Sequence, residues 1–288
     1  MRLVTFRRNG DLRTGALLDA ESVIDLNLAD ASIPADMLAL LDGGDETMDR
    51  ARAVAAAEKS RIALSEVTLE APVPRPQKVL AIGLNYRDHA AETNAEIPKR
   101  PVVFAKMPSC ITGPGAPVHV PRVSSALDWE GELCFVIGKR GRHIAGADAM
   151  SHVAGFCNGN DLSVRDWQFH SPTWMMGKGF DTHGPIGPWL VTPDEIPDVN
   201  NLDVSTYVND ELVQHSNTSQ LVFDIGAIVE YLSAAFTLEP GDVVFTGTPA
   251  GVGVARKPPR FLKVGDVVRV AITGLGVLEN HVIAEPEY

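Results

Sequence analysis

The 288-residue sequence predicts a β-rich α+β protein in which a small N-terminal α/β segment, residues 1–72, precedes a larger body, residues 73–288. Three observations predict it. Short apolar runs of high β propensity, punctuated by glycine and proline, fill the chain after residue 77. One long amphipathic helical pattern interrupts them. Between the two parts, 71–76 holds three prolines in six residues, which fixes φ, removes amide donors and keeps the chain extended.

The N-terminal segment opens with two apolar runs around the turn residues Asn9, Gly10 and Asp11. It continues through the alanine- and charge-rich stretch 51–64, so a strand or two followed by helices is expected. In the body, 78–82, 102–105, 132–137, 153–158, 202–208, 243–246 and 267–272 read as strands. Asn209-Asp210 and 274–276 suit hairpin loops, while Gly241-Asp242 and Gly265-Asp266 each lead into a strand. Leu221, Ile225, Ile228, Leu232 and Ala235 recur at helical spacing and predict a helix packed on the sheet.

Composition excludes several classes of function. With 45% hydrophobic and 22% charged residues the chain can bury a large core. Lysine and arginine total 25 against 37 for aspartate and glutamate, a net charge of -12, and no dense basic run offers phosphate contacts, so nucleic acid is not an expected partner. No 18-residue apolar stretch suits a bilayer and residues 1–12 lack a signal-peptide core, from which no membrane association and a cytoplasmic location are expected. Cys110, Cys134 and Cys157 form no C-x-x-C pair and read as small core residues.

The acidic residues carry the chemistry. Glu130 and Glu132 are two apart at the entry to a strand, so both carboxylates share one face. Such neighbours repel and need solvent, a shared proton or a cation. Asp161 begins where the run 153–158 gives out; if the two runs pair, it can complete a three-carboxylate site for a hard ion such as Mg²⁺, Mn²⁺ or Ca²⁺, or else serve as a turn residue or helix cap. His89 and Glu92, at i and i+3 of a short helical stretch, suit either a proton-transfer pair or a surface ion pair. Lys178, flanked by Gly177 and Gly179, could meet an anionic substrate or an oxyanion, or be a solvated loop charge; Asp181 and His183 are weaker candidates. The glycine-rich stretch 246–253 can aim amides at an anion but lacks a P-loop ending. No G-x-S-x-G elbow or cysteine–histidine pairing supports a covalent nucleophile.

Taken in order, Gly83-Leu-Asn-Tyr-Arg-Asp-His89, the E-x-E within 128–133, Asn160 to Gln168, Gly177-Lys-Gly-Phe-Asp-Thr182 and Thr246 to Gly253 resemble the fumarylacetoacetate hydrolase superfamily over roughly 78–282. The resemblance implies a mixed β-roll, a homodimer, and Mg²⁺ or Mn²⁺ held by Glu130, Glu132 and Asp161. It also implies that His89 and Glu92 form a lid dyad, and that Arg165, Gln168, Lys178 and Thr248 surround a small 2-oxo or diketo acid. The reaction expected first is metal-dependent cleavage of an acylpyruvate to pyruvate and a carboxylic acid, with His89 activating water and Lys178 and Gln168 supporting the oxyanion. The same centre would serve oxaloacetate decarboxylation or 2-oxo acid tautomerisation, and a catalytically silent binding or assembly protein is the non-enzymatic alternative.

Overall fold

The computed structural model describes residues 1–287. Its spine is a twelve-stranded mixed sheet. The strands follow one another as Arg61–Ala63, Ser22–Asp25, Asp11–Leu17, Arg2–Arg8, Gly184–Val191, Val153–Asn160, Gly131–Ile137, Val243–Phe245, Val79–Gly83 and Val102–Lys106, with two short strands off this path. A five-stranded sheet runs Glu211–Asn217, Asp203–Val208, Val267–Ile272, Gly276–Ala284, Val118–Val120. One buried cluster joins the sheets, with Leu133, Phe135 and Ile137 from the first and Val204, Val270, Ile272 and Leu278 from the second. The architecture is the strand-rich α+β mixture expected.

Local sequence explains most elements. Asn9 and Gly10 both adopt positive φ, 53° and 92°, in the two-residue turn between Arg2–Arg8 and Asp11–Leu17, because that turn hand matches strand twist. The amphipathic pattern forms the helix Ile225–Ala235, which buries Ile225, Ile228, Val229 and Leu232. Asp224 caps it by accepting from the Ala227 amide at 2.8 Å, so Leu221, expected in its first turn, lies outside.

The structure departs from the sequence pattern at two places. The helix Gly44–Ala56 stops early, Glu58 and Ser60 turn left-handed, and Arg61–Ala63 leaves as a strand against Ser22–Asp25. The strand Gly184–Val191 is absent from the sequence reading because Pro185 and Pro188 remove ladder donors. Its pairing with Arg2–Arg8, through Arg2 opposite Val191, and a core shared by Leu3, Ile24 and Leu40 with Cys134, Cys157 and Phe245 join 1–72 to 73–288, whose division stands as a proposal. Cys110, Cys134 and Cys157 are buried free thiols. Among the described residues no helix is long and apolar enough to cross a membrane.

One pairing positions the site. Gly131–Ile137 and Val153–Asn160 are antiparallel neighbours with Gly131 opposite Asn160, so the residues just beyond that rung, Glu130 and Asp161, meet. The Asp161 amide donates to the Glu130 carbonyl at 2.9 Å, extending the ladder by one step.

Candidate functional site

Glu130, Glu132 and Asp161 are all buried, and one oxygen from each lies within 4.8 Å of the others. The strand Gly131–Ile137 supplies Glu132, the residue before it supplies Glu130, and the end of Val153–Asn160 supplies Asp161. Asn160 fixes the corner, its side-chain oxygen accepting from the Glu130 amide at 3.0 Å. Burial first, then the charges of Asp161 and Glu130, push the Glu132 carboxyl well above the usual carboxylate range. Glu130 has the opposite fate: burial opposes its charge, but Lys178 and Arg165 hold its carboxyl below that range.

Cations line one side of this cluster. Lys178 Nζ donates to Glu130 Oε2 and Asp161 Oδ2, both at 2.7 Å. It is 2% exposed, at the end of the short helix Met175–Lys178, so it is no solvated loop charge. Arg165 reaches Asp128 Oδ2 through Nε at 2.7 Å and Glu130 Oε1 through one terminal nitrogen at 2.6 Å. That nitrogen also donates to Gln168 Oε1 at 3.0 Å, and the other terminal nitrogen is buried with no protein partner.

Sequence reasoning missed two members. Lys106 ends the strand Val102–Lys106, and its fully buried ammonium donates to Asp161 Oδ1 at 2.6 Å and to the Lys178 carbonyl. A lysine closing an apolar run ordinarily reads as a strand-end charge, and no local signal marks it. Asp128 accepts from Arg165 and from the amides of Gly253 and Val254 at 2.7 and 2.9 Å. Its place beside the E-x-E pair was the available signal.

The helix Arg87–Glu92 carries the second group. His89 Nδ1 lies 3.2 Å from Glu92 Oε2, and Glu92 Oε1 accepts from the Gly251 amide at 2.9 Å. Here the glycine-rich stretch departs from expectation. Its amides engage the protein's own carboxylates, Gly247 on Glu132 at 2.7 Å, Gly251 on Glu92 and Gly253 on Asp128. The loop clamps the site residues where an external anion was expected.

These groups line one cavity of about 270 Å³. His89, the three carboxylates, Arg165, Gln168, Lys178 and Thr248 all face it, while Glu92 stands behind His89. Thr248 is committed already, donating to the Gly131 carbonyl at 3.1 Å and accepting from Gln214 at 2.8 Å. The weaker candidates lie elsewhere: Asp181 and His183 line a separate small pocket, and His183 Nε2 contacts the His119 carbonyl at 2.7 Å.

The donor set suits a divalent cation. Three oxygen ligands converge, and among the described residues Glu132 makes no ion pair. Around it, four carboxylates including Asp128 face the three cations Lys106, Arg165 and Lys178, so one negative charge is left over when all are ionised. A bound divalent ion would turn that surplus positive and favour an anionic substrate.

A mixed β fold that converges three buried carboxylates beneath a histidine–glutamate pair defines a class, and the chain belongs to the fumarylacetoacetate hydrolase family. The family model for the fumarylacetoacetate (FAA) hydrolase C-terminal region matches residues 78–283. Among individual relatives, oxaloacetate tautomerase fahd2, mitochondrial, of Xenopus laevis is 46% identical over 98% of this chain and 90% of its own length. Two solved structures are similar throughout. Fumarylacetoacetate hydrolase from Exiguobacterium antarcticum has a TM-score of 0.86 at 35% identity, covering 99% of this chain and 100% of that one. Maleylpyruvate hydrolase from Sphingobium sp. SYK-6, in complex with manganese(II) and pyruvate, has a TM-score of 0.83 at 32% identity with the same coverage. The cytoplasmic location expected from sequence is overturned, because the similar tautomerases bear mitochondrial names.

Proposed function

We propose that this protein is a divalent-metal-dependent tautomerase of a small 2-oxo acid, with oxaloacetate the leading substrate. The observation that carries the reading is His89, backed by Glu92, lining the same cavity as a converged carboxylate triad. The similarity to proteins named oxaloacetate tautomerase moves the weight from acylpyruvate cleavage to this alternative.

Glu130, Glu132 and Asp161 would hold Mg²⁺ or Mn²⁺, with Ca²⁺ a third option, and the ion would supply Lewis-acid stabilisation for negative charge developing on the 2-oxo oxygen. Interconversion then needs only proton movement. His89, oriented through Nδ1 by Glu92, takes a proton from the carbon beside the 2-oxo group, the C–H pair becomes the carbon–carbon double bond, the carbonyl π pair moves to oxygen, and His89 returns the proton to that oxygen directly or through water. Lys178 and the free amide end of Gln168 donate toward that oxygen. Arg165, with one terminal nitrogen lacking a protein partner, takes a substrate carboxylate. Thr248, its hydroxyl engaged on both sides, meets the substrate by shape. The assembly implied by the family resemblance is a homodimer, checked by light scattering.

Hydrolysis stays the second reading, favoured by likeness to the maleylpyruvate hydrolase that binds manganese and pyruvate. It asks His89 to activate water. The test is to follow the ultraviolet absorbance of enol-oxaloacetate with and without Mg²⁺, beside pyruvate release from oxaloacetate and from acylpyruvates. Metal-dependent enol–keto conversion without pyruvate is expected. Pyruvate from acylpyruvates with no acceleration of tautomerisation would replace the proposal by hydrolysis, and metal binding without any turnover would replace it by a silent binding protein.

A further inference from the structure

Two unlike sets of side chains line the site cavity. One is the carboxylates with Arg165 and Lys178, and the other is an apolar wall of Ile82, Leu84, Phe104 and Trp174, which approaches Lys178 at Phe104. Trp174 forms that wall in an unusual way. Its backbone is left-handed, at φ 59° and ψ -13°, a conformation that a bulky residue adopts only where its surroundings over-determine it. Its amide donates to the Ser171 carbonyl at 3.3 Å and its carbonyl accepts from Gly177 at 2.9 Å, which anchors the turn feeding the helix that carries Lys178.

The indole is tightly seated. It meets the Phe104 ring edge-on, with centroids 5.5 Å apart and planes at 68°. It also lies so close to Gly83 that a Cβ there would sit 2.4 Å from the indole Cζ3, so only glycine leaves room for it. Phe104 in turn packs beneath Lys178, whose Nζ is 5.2 Å from the ring centroid. The neighbouring Met175 and Met176 are exposed and do not line the cavity, so Trp174 alone of the three faces it.

We propose that Trp174 is a specificity-determining wall, its indole stacked against Gly83 and Phe104 to limit the length of the distal substituent on a 2-oxo acid. The inference rests on the reading of the carboxylate set as a 2-oxo acid site. A short acid fits between the triad and the indole; a longer alkyl chain meets the ring. Because the wall is apolar, removing it creates space that an alkyl chain fills in place of water.

The experiment is equilibrium binding, by calorimetry in the presence of Mn²⁺, of 2-oxobutanoate, 2-oxohexanoate and 2-oxooctanoate to the wild-type protein, Trp174→Ala, Trp174→Phe and Gly83→Ala. Wild type is expected to lose at least about tenfold in affinity from the shortest to the longest acid. Trp174→Ala should flatten or reverse that order and Trp174→Phe should fall between. Gly83→Ala should shift the order with Trp174 itself unsubstituted, since its methyl must displace the indole, and it serves with Trp174→Phe if Trp174→Ala does not fold. The same chain-length order in all the folded variants overturns the inference while leaving the 2-oxo acid site intact. Failure of wild type to bind any of the three acids overturns the underlying reading instead.

Discussion

Lys106 Nζ lies 2.6 Å from Asp161 Oδ1, and neither side chain has any solvent exposure. Asp161 is one of the three carboxylates of the candidate metal site, and Lys106 lies beneath it. Burial disfavours the Lys106 charge, yet Asp161 beside it keeps the ammonium's pKa above the ordinary lysine value. Two Asp161 oxygens are thus committed to separate lysines, Oδ1 to Lys106 and Oδ2 to Lys178, which fixes the plane of the carboxylate.

Lys106→Met should destabilise the protein by about 1–3 kcal/mol, because it leaves Oδ1 of a buried carboxylate unpaired while Lys178 still holds Oδ2. Urea unfolding of the single variants and of Lys106→Met with Asp161→Asn checks this. The double variant should lose markedly less than the two singles combined. Full additivity would mean that the contact does not couple the residues.

His89→Ala should abolish turnover of the substrate while leaving metal affinity within a few-fold of wild type, since His89 contacts Glu92 and none of the three carboxylates. Glu92→Gln keeps the shape and weakens the orientation, with an expected loss of about 10²-fold in kcat. Kinetics beside calorimetric metal titration separates the roles, and a large loss of metal binding in His89→Ala counts against them.

Chelation should lower the melting temperature, and added Mg²⁺ or Mn²⁺ should restore it. Free ion at about 100 times its Kd is worth roughly 2.7 kcal/mol by mass action. Glu132→Gln should blunt this response, because the variant removes the one carboxylate of the triad that makes no ion pair among the described residues. A melting curve indifferent to both ion and chelator contradicts the site.

His183 predicts the acid limb of stability. Burial, helped by the charge of Lys106 and opposed by the hydrogen bond to the His119 carbonyl, lowers its pKa to about 3. The unfolded chain should titrate near 6.5, so between those values it binds the additional proton and folding loses stability as pH falls. The slope is at most about 1.4 kcal/mol per pH unit from this residue. His183→Gln should lose less stability than wild type between pH 6.5 and 4.5 in urea unfolding; equal losses would place the acid sensitivity elsewhere.

Much of the site was legible as chemistry. E-x-E at a strand entry put Glu130 and Glu132 on one face, and helical spacing put His89 within reach of Glu92, because both depend only on the repeat of the backbone. Other groups had no such signature. Lys106 is 55 residues from its partner Asp161, and nothing in the run Trp174-Met175-Met176 distinguishes the residue that faces the cavity from the two exposed methionines.

By itself, then, the sequence determined the periodic strands, the amphipathic helix from Ile225 onward, the hairpin at Asn9-Gly10 and which acidic side chains could act together, since each follows from local sterics and alternation. The tertiary structure decided the rest. It brought Asp161 beside Glu130 through the register of two strands, threaded the proline-bearing strand Gly184–Val191 next to Arg2–Arg8, and turned the glycine-rich amides onto the protein's own carboxylates. Such contacts join segments distant along the chain, so they are set by whole-molecule packing and the pairing of buried polar groups, which no local pattern encodes.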